Sequence, residues 1–307
     1  MDNKHKPSLR GYSLILFASV LYGTYGVWSR LMGDTFPPFY QAWVRSLIII
    51  FLLGFFMMVT KSFRKVERQD IPKFALFVFF CIGTQVPLYF AFNHAAIGAV
   101  QLVFYATFLI ACYIVGKFYL GERLTRYKLL SLILAFAGLV IVFGVASLAF
   151  APLGLSLALL NGVNSGVETA SSKKLTTKYP AVLVIFWGWV FTFLTHLPIS
   201  LAIHEKQVPI HLDKAWLFLV IYSVVNALAF WISIAGFKHV DASIGGLIGL
   251  TEIIFSVIFG AVIFHEKLSV SIYFGGAIIL LAATLPDLAA LVENHHGRPK
   301  PDSVVPL

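Results

Sequence analysis

Long apolar runs alternate with short polar breaks along the whole chain, ten runs in all. A bilayer core about 30 Å thick demands roughly 20 apolar residues of helix per crossing. The runs therefore predict spans at residues 11–31, 38–60, 74–93, 98–120, 127–148, 152–172, 180–203, 215–237, 242–264 and 268–292. The first run follows Lys4, Lys6 and Arg10 as a signal sequence would, but it is long and no A-x-A site follows, so it reads as a retained span. Residues 293–307, with three prolines and two histidines, read as a disordered tail.

The breaks are asymmetric. Of the 23 Lys and Arg, 18 fall in residues 1–10, in alternate breaks and in the tail, and four (Arg30, Lys206, Lys214 and Lys267) fall in the others; Arg45 lies within a span. Basic loops stay on the cytoplasmic side, so both termini are expected there. A missed or surplus span would scramble this alternation, so the charge pattern supports the count of ten independently of hydropathy.

The two halves also match each other. Gly11, Ser13, Gly23, Arg30 and Pro37 correspond to Gly154, Ser156, Gly166, Lys173 and Pro180, and GERLT at 121–125 corresponds to HEKLS at 265–269, aligning Glu122 with Glu266. Each unit, residues 11–148 and 152–292, holds five spans. Five is odd, so the second copy must be inverted in the membrane, an architecture of secondary transporters whose site lies near the midplane between repeats. The expected fold is an all-α integral membrane protein: ten transmembrane helices in two inverted five-helix repeats, flanked by a cytoplasmic segment (1–10) and a cytoplasmic tail (293–307).

On these residues the chain resembles the drug/metabolite transporter superfamily, in its ten-span EamA type. The likeness runs over about residues 10–290 and rests on the paired repeat, on GERL and HEKL after the fourth helix of each unit, and on Leu250–Glu252 in the ninth span. Members often carry Leu-Glu-Pro there; Ile253 stands at the place of that proline, and the proline often found in the fourth helix is replaced near Phe108. The resemblance implies export or exchange of amino acids, their derivatives or other small metabolites, driven by protons or by the substrate gradient.

Composition agrees with a membrane protein: 59% hydrophobic, 12% charged and mean hydropathy +0.87, against about 25% charged in soluble domains. Cys81 and Cys112 fall inside spans and read as buried packers, and no Cys/His cluster has metal-ligand spacing. The net charge of +9 is topology and solvation rather than a nucleic-acid surface. No GxxxxGK[ST] loop is present, which argues against ATP drive by this chain. No cofactor or metal is expected.

Candidate chemistry sits on residues that lipid rejects. Glu252 lies near the middle of its span, where a carboxylate costs roughly 3 kcal/mol on insertion scales and usually faces a watery path; a protonated Glu serving only helix packing is the bland alternative. Asn161, Ser165, Glu168 and Ser172 share one face of the sixth span, and the repeat maps Ser165, Glu168 and Ser172 onto Tyr22, Tyr25 and Ser29 of the first. Glu168 lies about one turn from Lys173, so pairing with a lysine at the helix end is its alternative role. Arg45 keeps its charge and needs an anion, either Glu252 or a substrate carboxylate. Gln85 with Tyr89, Tyr105 with Gln101, and Trp231 complete a set of cavity-wall candidates, suited to a solute with an amine, a carboxylate and an apolar part. The glycines at 245, 246, 249, 275 and 276 read as close contacts or hinges, and Glu122 and Glu266 as residues that organise turns.

The expected function is secondary active transport, export or exchange of small organic metabolites, foremost amino acids or their derivatives, by alternating access in a bacterial plasma (inner) membrane. Export of cationic drug-like compounds is the alternative. Membrane lipid and a small-molecule substrate are the expected partners, with proton coupling and a homodimer left open and nucleic acid excluded. An enzyme would need a convergent nucleophile or metal cluster, and a channel a recurring ring of like residues; the sequence offers neither.

Overall fold

A computed structural model describes residues 9–144, 151–266 and 268–295. Among them the chain is all helix: α1 (Leu9–Gly23), α2 (Tyr25–Met32), α3 (Pro38–Val59), α4 (Ile71–Ile82), α5 (Pro87–His94), α6 (Ile97–Ile114, continued by a π turn Val115–Tyr119), α7 (Arg126–Phe143), α8 (Pro152–Thr176), α9 (Ala181–Ala202), α10 (Lys214–Phe237), α11 (Ala242–Gly249), α12 (Thr251–Phe264) and α13 (Val270–His295). Eight helical stretches are long and apolar enough to cross a membrane, and Val270–Pro286 is a shorter apolar segment. Helix α8 is 25 residues long but too polar to count among the eight; 13 of its residues are buried, from Gly154 to Thr176. The tail from residue 296 and the link at 145–150 lie outside the described residues.

Local chemistry sets the helix ends. Pro38 and Pro87 sit in first turns, where no amide partner is lost. Thr125 caps α7 by accepting from the Lys128 amide at 3.3 Å, and Asp213 caps α10 through the Trp216 amide at 2.9 Å.

Three predicted spans are broken. The first kinks at Thr24, whose hydroxyl donates to the Leu21 carbonyl at 2.6 Å and accepts from the Trp28 indole at 2.9 Å. The third opens between Ile82 and Pro87, and Asn164 of α8 donates to the Gly83 carbonyl at 2.9 Å; unwound backbone at membrane depth needs such a partner. The ninth breaks at Leu250, where the Thr251 hydroxyl takes the Ile248 carbonyl at 2.6 Å and competes with the helix ladder. The kink in the ninth span thus forms without a proline, while α6 runs unbroken past Phe108.

Two apolar groups frame the bundle. One joins α3, α4, α9 and α10 through Ile49, Phe77, Leu183, Trp189 and Ile234. The other joins α6, α7, α11, α12 and α13 through Leu109, Leu139, Leu247, Ile253 and Ile279. With α11 and α12 counted as one broken span, each group takes two spans from each half of the chain, and α1 and α8 stand between them. The main helix pairings (α7 on α13, α3 on α9, α6 on α8 beside α1 on α11 and α12, and α4 and α5 on α8 beside α1 on α10) map onto themselves when the halves are exchanged. Glycines permit the tightest crossings. A Cβ on Gly166 would lie 2.5 Å from the Phe108 carbonyl, and one on Gly275 2.7 Å from the Gly138 carbonyl. Gly245 and Gly246 are close contacts too, whereas Gly249 and Gly276 have ordinary van der Waals space.

Candidate functional site

The polar residues of α1, α2, α3, α6, α8, α10 and α12 converge between the two apolar groups. Glu252, in the first turn of α12, accepts a hydrogen bond from the Tyr105 hydroxyl of α6 at 3.1 Å. The break at Leu250 is what starts a new helix at that residue. Glu168 is 5% exposed and turns its carboxyl to the Cys81 thiol of α4. Tyr22 is near enough to feel both acids and hydrogen-bonds with Ser233 of α10.

A ladder of aromatic rings leads from there to Arg45. Tyr22 meets Tyr25 edge-on at 5.1 Å, Tyr25 meets Tyr222 edge-on at 4.9 Å, and the Arg45 guanidinium lies 4.0 Å over the Tyr222 ring. Arg45 is 8% exposed, and its Nε has no hydrogen-bond partner. The Tyr25 hydroxyl and the Asn161 side-chain oxygen are likewise buried without partners. Buried polar atoms are rarely left unpaired, so the Arg45 Nε and the Tyr25 hydroxyl, at neighbouring steps of this ladder, retain hydrogen-bonding capacity.

The structure decides between several readings that the sequence left open. Arg45 and Glu252 do not pair: no described carboxylate lies within ion-pair distance of Arg45, and Glu252 is held by Tyr105 instead. Their depths were readable from the sequence, but not which way round the bundle each helix turns. Glu168 does not pair with Lys173, because Lys173 reaches Glu122 at 2.7 Å. Trp231 leaves the core. It packs edge-on against Phe56 at 4.7 Å and lines a separate cavity of about 200 Å³ with Arg10, Tyr179 and Lys238. Gln85 donates to the Thr84 hydroxyl at 3.0 Å in the broken third span, whereas Tyr89 does line a cavity, the one described next. Ser165 is partly buried on α8, one turn from Glu168.

That cavity, of about 420 Å³, opens at the end of the bundle away from the basic loops. It is lined by Gly26, Ser29, Arg30 and Gln41 among others. Gly26 adjoins Tyr25, and Gln41 stands one turn before Arg45, so the cavity approaches the polar core from that end. Sequence reasoning missed Tyr222, Ser233, Cys81 and Asn164. Tyr222, Asn226 and Ser233, spaced by 4 and 7 on α10, carried a helical-face signal that could have found two of them.

The basic end is closed by charge. Glu122 Oε1 accepts from Lys173 at 2.7 Å, and its Oε2 accepts from the Ala242 amide at 2.8 Å. Lys173 also donates to the Val240 carbonyl at 2.7 Å, and Lys128 reaches Asp241 at 2.6 Å. At the other end Arg30 meets Glu266 at 2.5 Å, with both side chains more than half exposed. Glu122 and Glu266 therefore do more than organise turns, since each binds the opposite half of the chain. Among the described residues no three His, Cys, Asp or Glu gather to hold a metal.

Comparison with known proteins identifies the fold's relatives. The EamA-like transporter family matches at residues 9–144 and again at 152–285. An uncharacterized transporter of Helicobacter pylori (strain ATCC 700392 / 26695) is 24% identical over 299 residues, covering 93% of this chain and 97% of that protein. An uncharacterized transporter of Helicobacter pylori (strain J99 / ATCC 700824) is 22% identical over 294 residues with the same coverage. A crystal structure described only as that of a protein superposes with a TM-score of 0.76 at 20% identity, over 95% of this chain and all of that one, a likeness of fold alone. The chain, with two family matches that together span nearly its whole length, belongs to the EamA-like transporter family and is a multi-span membrane transporter of small molecules.

Proposed function

We propose that this transporter is a secondary carrier that exports or exchanges amino acids or amino-acid derivatives across a bacterial plasma membrane. In this reading ten spans form two inverted repeats with both termini in the cytoplasm, as the basic loops favour. The observation that carries it is a guanidinium and two carboxyl groups set at the two ends of one aromatic ladder, none with an ion-pair partner among the described residues: Arg45 at one end, Glu252 and Glu168 at the other. A guanidinium cannot shed its proton. Left in a core without an anion it is costly, and a substrate carboxylate is the natural complement, since charge-assisted and bidentate bonds to Arg are the strong ones. A substrate carboxylate would sit at Arg45 with the apolar part along the tyrosine rings, and an amine carried far from that carboxylate, as in an extended amino-acid derivative, would reach toward Glu252 and Glu168.

Glu252 has a second role open to it. Its single bond from Tyr105 leaves room for a proton or an ammonium group, and exchange between the two would couple transport to the proton gradient. Exported solute then enters the core from the basic end when that end opens and leaves through the 420 Å³ cavity.

The test is counterflow in proteoliposomes with a panel of amino acids, organic cations and sugars. Exchange of an amino acid by wild type, lost in Arg45→Met, supports the proposal. Exchange of organic cations that survives Arg45→Met, with no amino acid moved, replaces it with a carrier of cationic compounds.

A further inference from the structure

The two cross-repeat ion pairs are equivalents of each other. The repeat aligns Arg30 with Lys173 and Glu122 with Glu266. The structure joins Lys173 to Glu122 at the basic end and Arg30 to Glu266 at the opposite end. Each bond thus ties the end of one repeat's first helix to the loop after the other repeat's fourth. The local geometry repeats as well. The Glu122 amide donates to the Gly116 carbonyl at 2.8 Å, and the Glu266 amide to the Gly260 carbonyl at 3.4 Å. A Cβ on either glycine would lie 2.7 Å from the carboxylate folded over it. Both glutamates are held over the same kind of glycine, six residues earlier, aimed at the same element of the other half.

Their surroundings differ. At the basic end the pair is buried, with side chains 16% and 7% exposed, and the carboxylate also takes the Ala242 amide at the start of α11. At the opposite end the side chains are 58% and 54% exposed. Ala242 is the first residue of α11 and Ile97 the first residue of α6, the equivalent fourth helix, yet Ile97 is exposed. One end holds its ion pair buried and tied to a helix start; the other holds the equivalent pair in the open, without the amide bond.

We infer that Glu122 and Glu266, each paired with its base, are the two gate latches of transport, that they seat in turn on the amide starting the other repeat's fourth helix, and that this structure is the state with the basic end shut. When that end opens, Glu122 releases the Ala242 amide. The opposite end then closes by the mirrored set: Glu266 takes the amide of Ile97 while Arg30 reaches the Ala95 carbonyl, the counterpart of Val240. The latches are unequal. Lys128–Asp241 reinforces the basic end, but its aligned positions are Ile272 and Ala96, so the opposite latch has no such support. The resting bias is toward the shut basic end.

The inference rests on alternating access, and the protein's own cysteines can test it. Cys112 is fully buried on α6 beneath the basic-end latch, with its sulfur 3.2 Å from where a Cβ on Gly246 of α11 would sit. Its alkylation by a membrane-impermeant maleimide, in Cys81→Ala protein in inside-out vesicles, reads opening of that end. Ser29→Cys in protein lacking both native cysteines reads the cavity at the other end. Glu122→Gln and Lys173→Gln should each speed Cys112 labelling roughly ten-fold or more and slow labelling at position 29. Glu266→Gln should leave Cys112 as protected as in wild type. Unchanged labelling in both basic-end variants, with wild-type yield and melting temperature, overturns the inference. So does a rise at both reporters together, which marks general loosening. Counterflow is measured alongside. If wild type shows none, alternating access itself fails; if exchange persists while the reporters ignore the latch, only the latch fails.

Discussion

The two ends of this bundle are built from the same parts and hold them differently. At the basic end a lysine and a glutamate are buried together, a second pair stands beside them, and a helix N-terminus is tied in. At the opposite end an arginine and a glutamate meet in the open beside a 420 Å³ cavity. The repeat gives both ends a matched base and a matched glutamate, so their different burial belongs to the conformation, while the second pair, Lys128 with Asp241, belongs to the residues of the basic end alone. What it teaches is that the worth of an ion pair depends on where it sits. An exposed pair contributes about 0–1 kcal/mol, whereas removing one partner of a buried pair strands the other charge.

The sharpest break in the comparison is Lys128→Met. Lys128 is 5% exposed, and its loss leaves the Asp241 carboxylate without its main counter-charge. Destabilisation of about 3 kcal/mol is expected, read as a clear drop in melting temperature in detergent. Arg30→Met at the other end should change stability by less than about 1 kcal/mol. Equal drops would mean that the ends do not differ as described.

Glycine substitutions come next. Gly116→Ala pushes a methyl against a carboxylate pinned by Lys173 and the Ala242 amide, so it should cost about 1–3 kcal/mol. Gly260→Ala presses on a carboxylate free to swing into water. The better helix propensity of Ala there, up to about 1 kcal/mol, should offset the contact and leave thermal stability near wild type.

The smallest effect concerns pH at the basic end. Accepting a hydrogen bond from Lys178 holds the Glu67 carboxyl below its usual range, and donating to Asp70 and Glu67 holds Lys178 above the usual lysine range. A depressed carboxyl stabilises above its unfolded pKa, and that help is lost as pH falls through the folded value. A raised lysine stabilises below its unfolded pKa, and that help is lost as pH rises through the folded value. The cluster should therefore be indifferent to pH near neutrality. Wild type and Glu67→Gln should differ slightly in melting temperature at pH 7 and converge in acid; a gap that widens in acid contradicts the assignment.

The sequence made the helices legible because apolar length and charge alternation are local signals. The described helices fall within a few residues of the expected spans, save that the first, third and ninth are broken. The breaks at Thr24 and Leu250 were not legible, because they depend on hydroxyls that bond nearby carbonyls rather than on proline. The polar core was half legible. Glu252, Glu168, Tyr22, Tyr25, Tyr105 and Arg45 were found as residues that lipid rejects, but their grouping depends on helix rotation. That is why Tyr105 rather than Arg45 holds Glu252, and why Trp231 turns away. The latches were present in the repeat alignment as two matched bases and two matched acids. Read one residue at a time, Glu122 and Glu266 looked like turn residues; read as pairs on a common face, they already named their partners.

The central claim is that the polar core binds an amino-acid-like solute, with Glu252 exchanging it against a proton. Counterflow of an amino acid in proteoliposomes, measured across external pH for wild type and Glu252→Gln, tests it most directly. The account expects pH-dependent uptake in wild type and, in the variant, exchange that persists but no longer responds to pH. Exchange with the same pH dependence in both proteins would contradict it and reduce Glu252 to a packing residue.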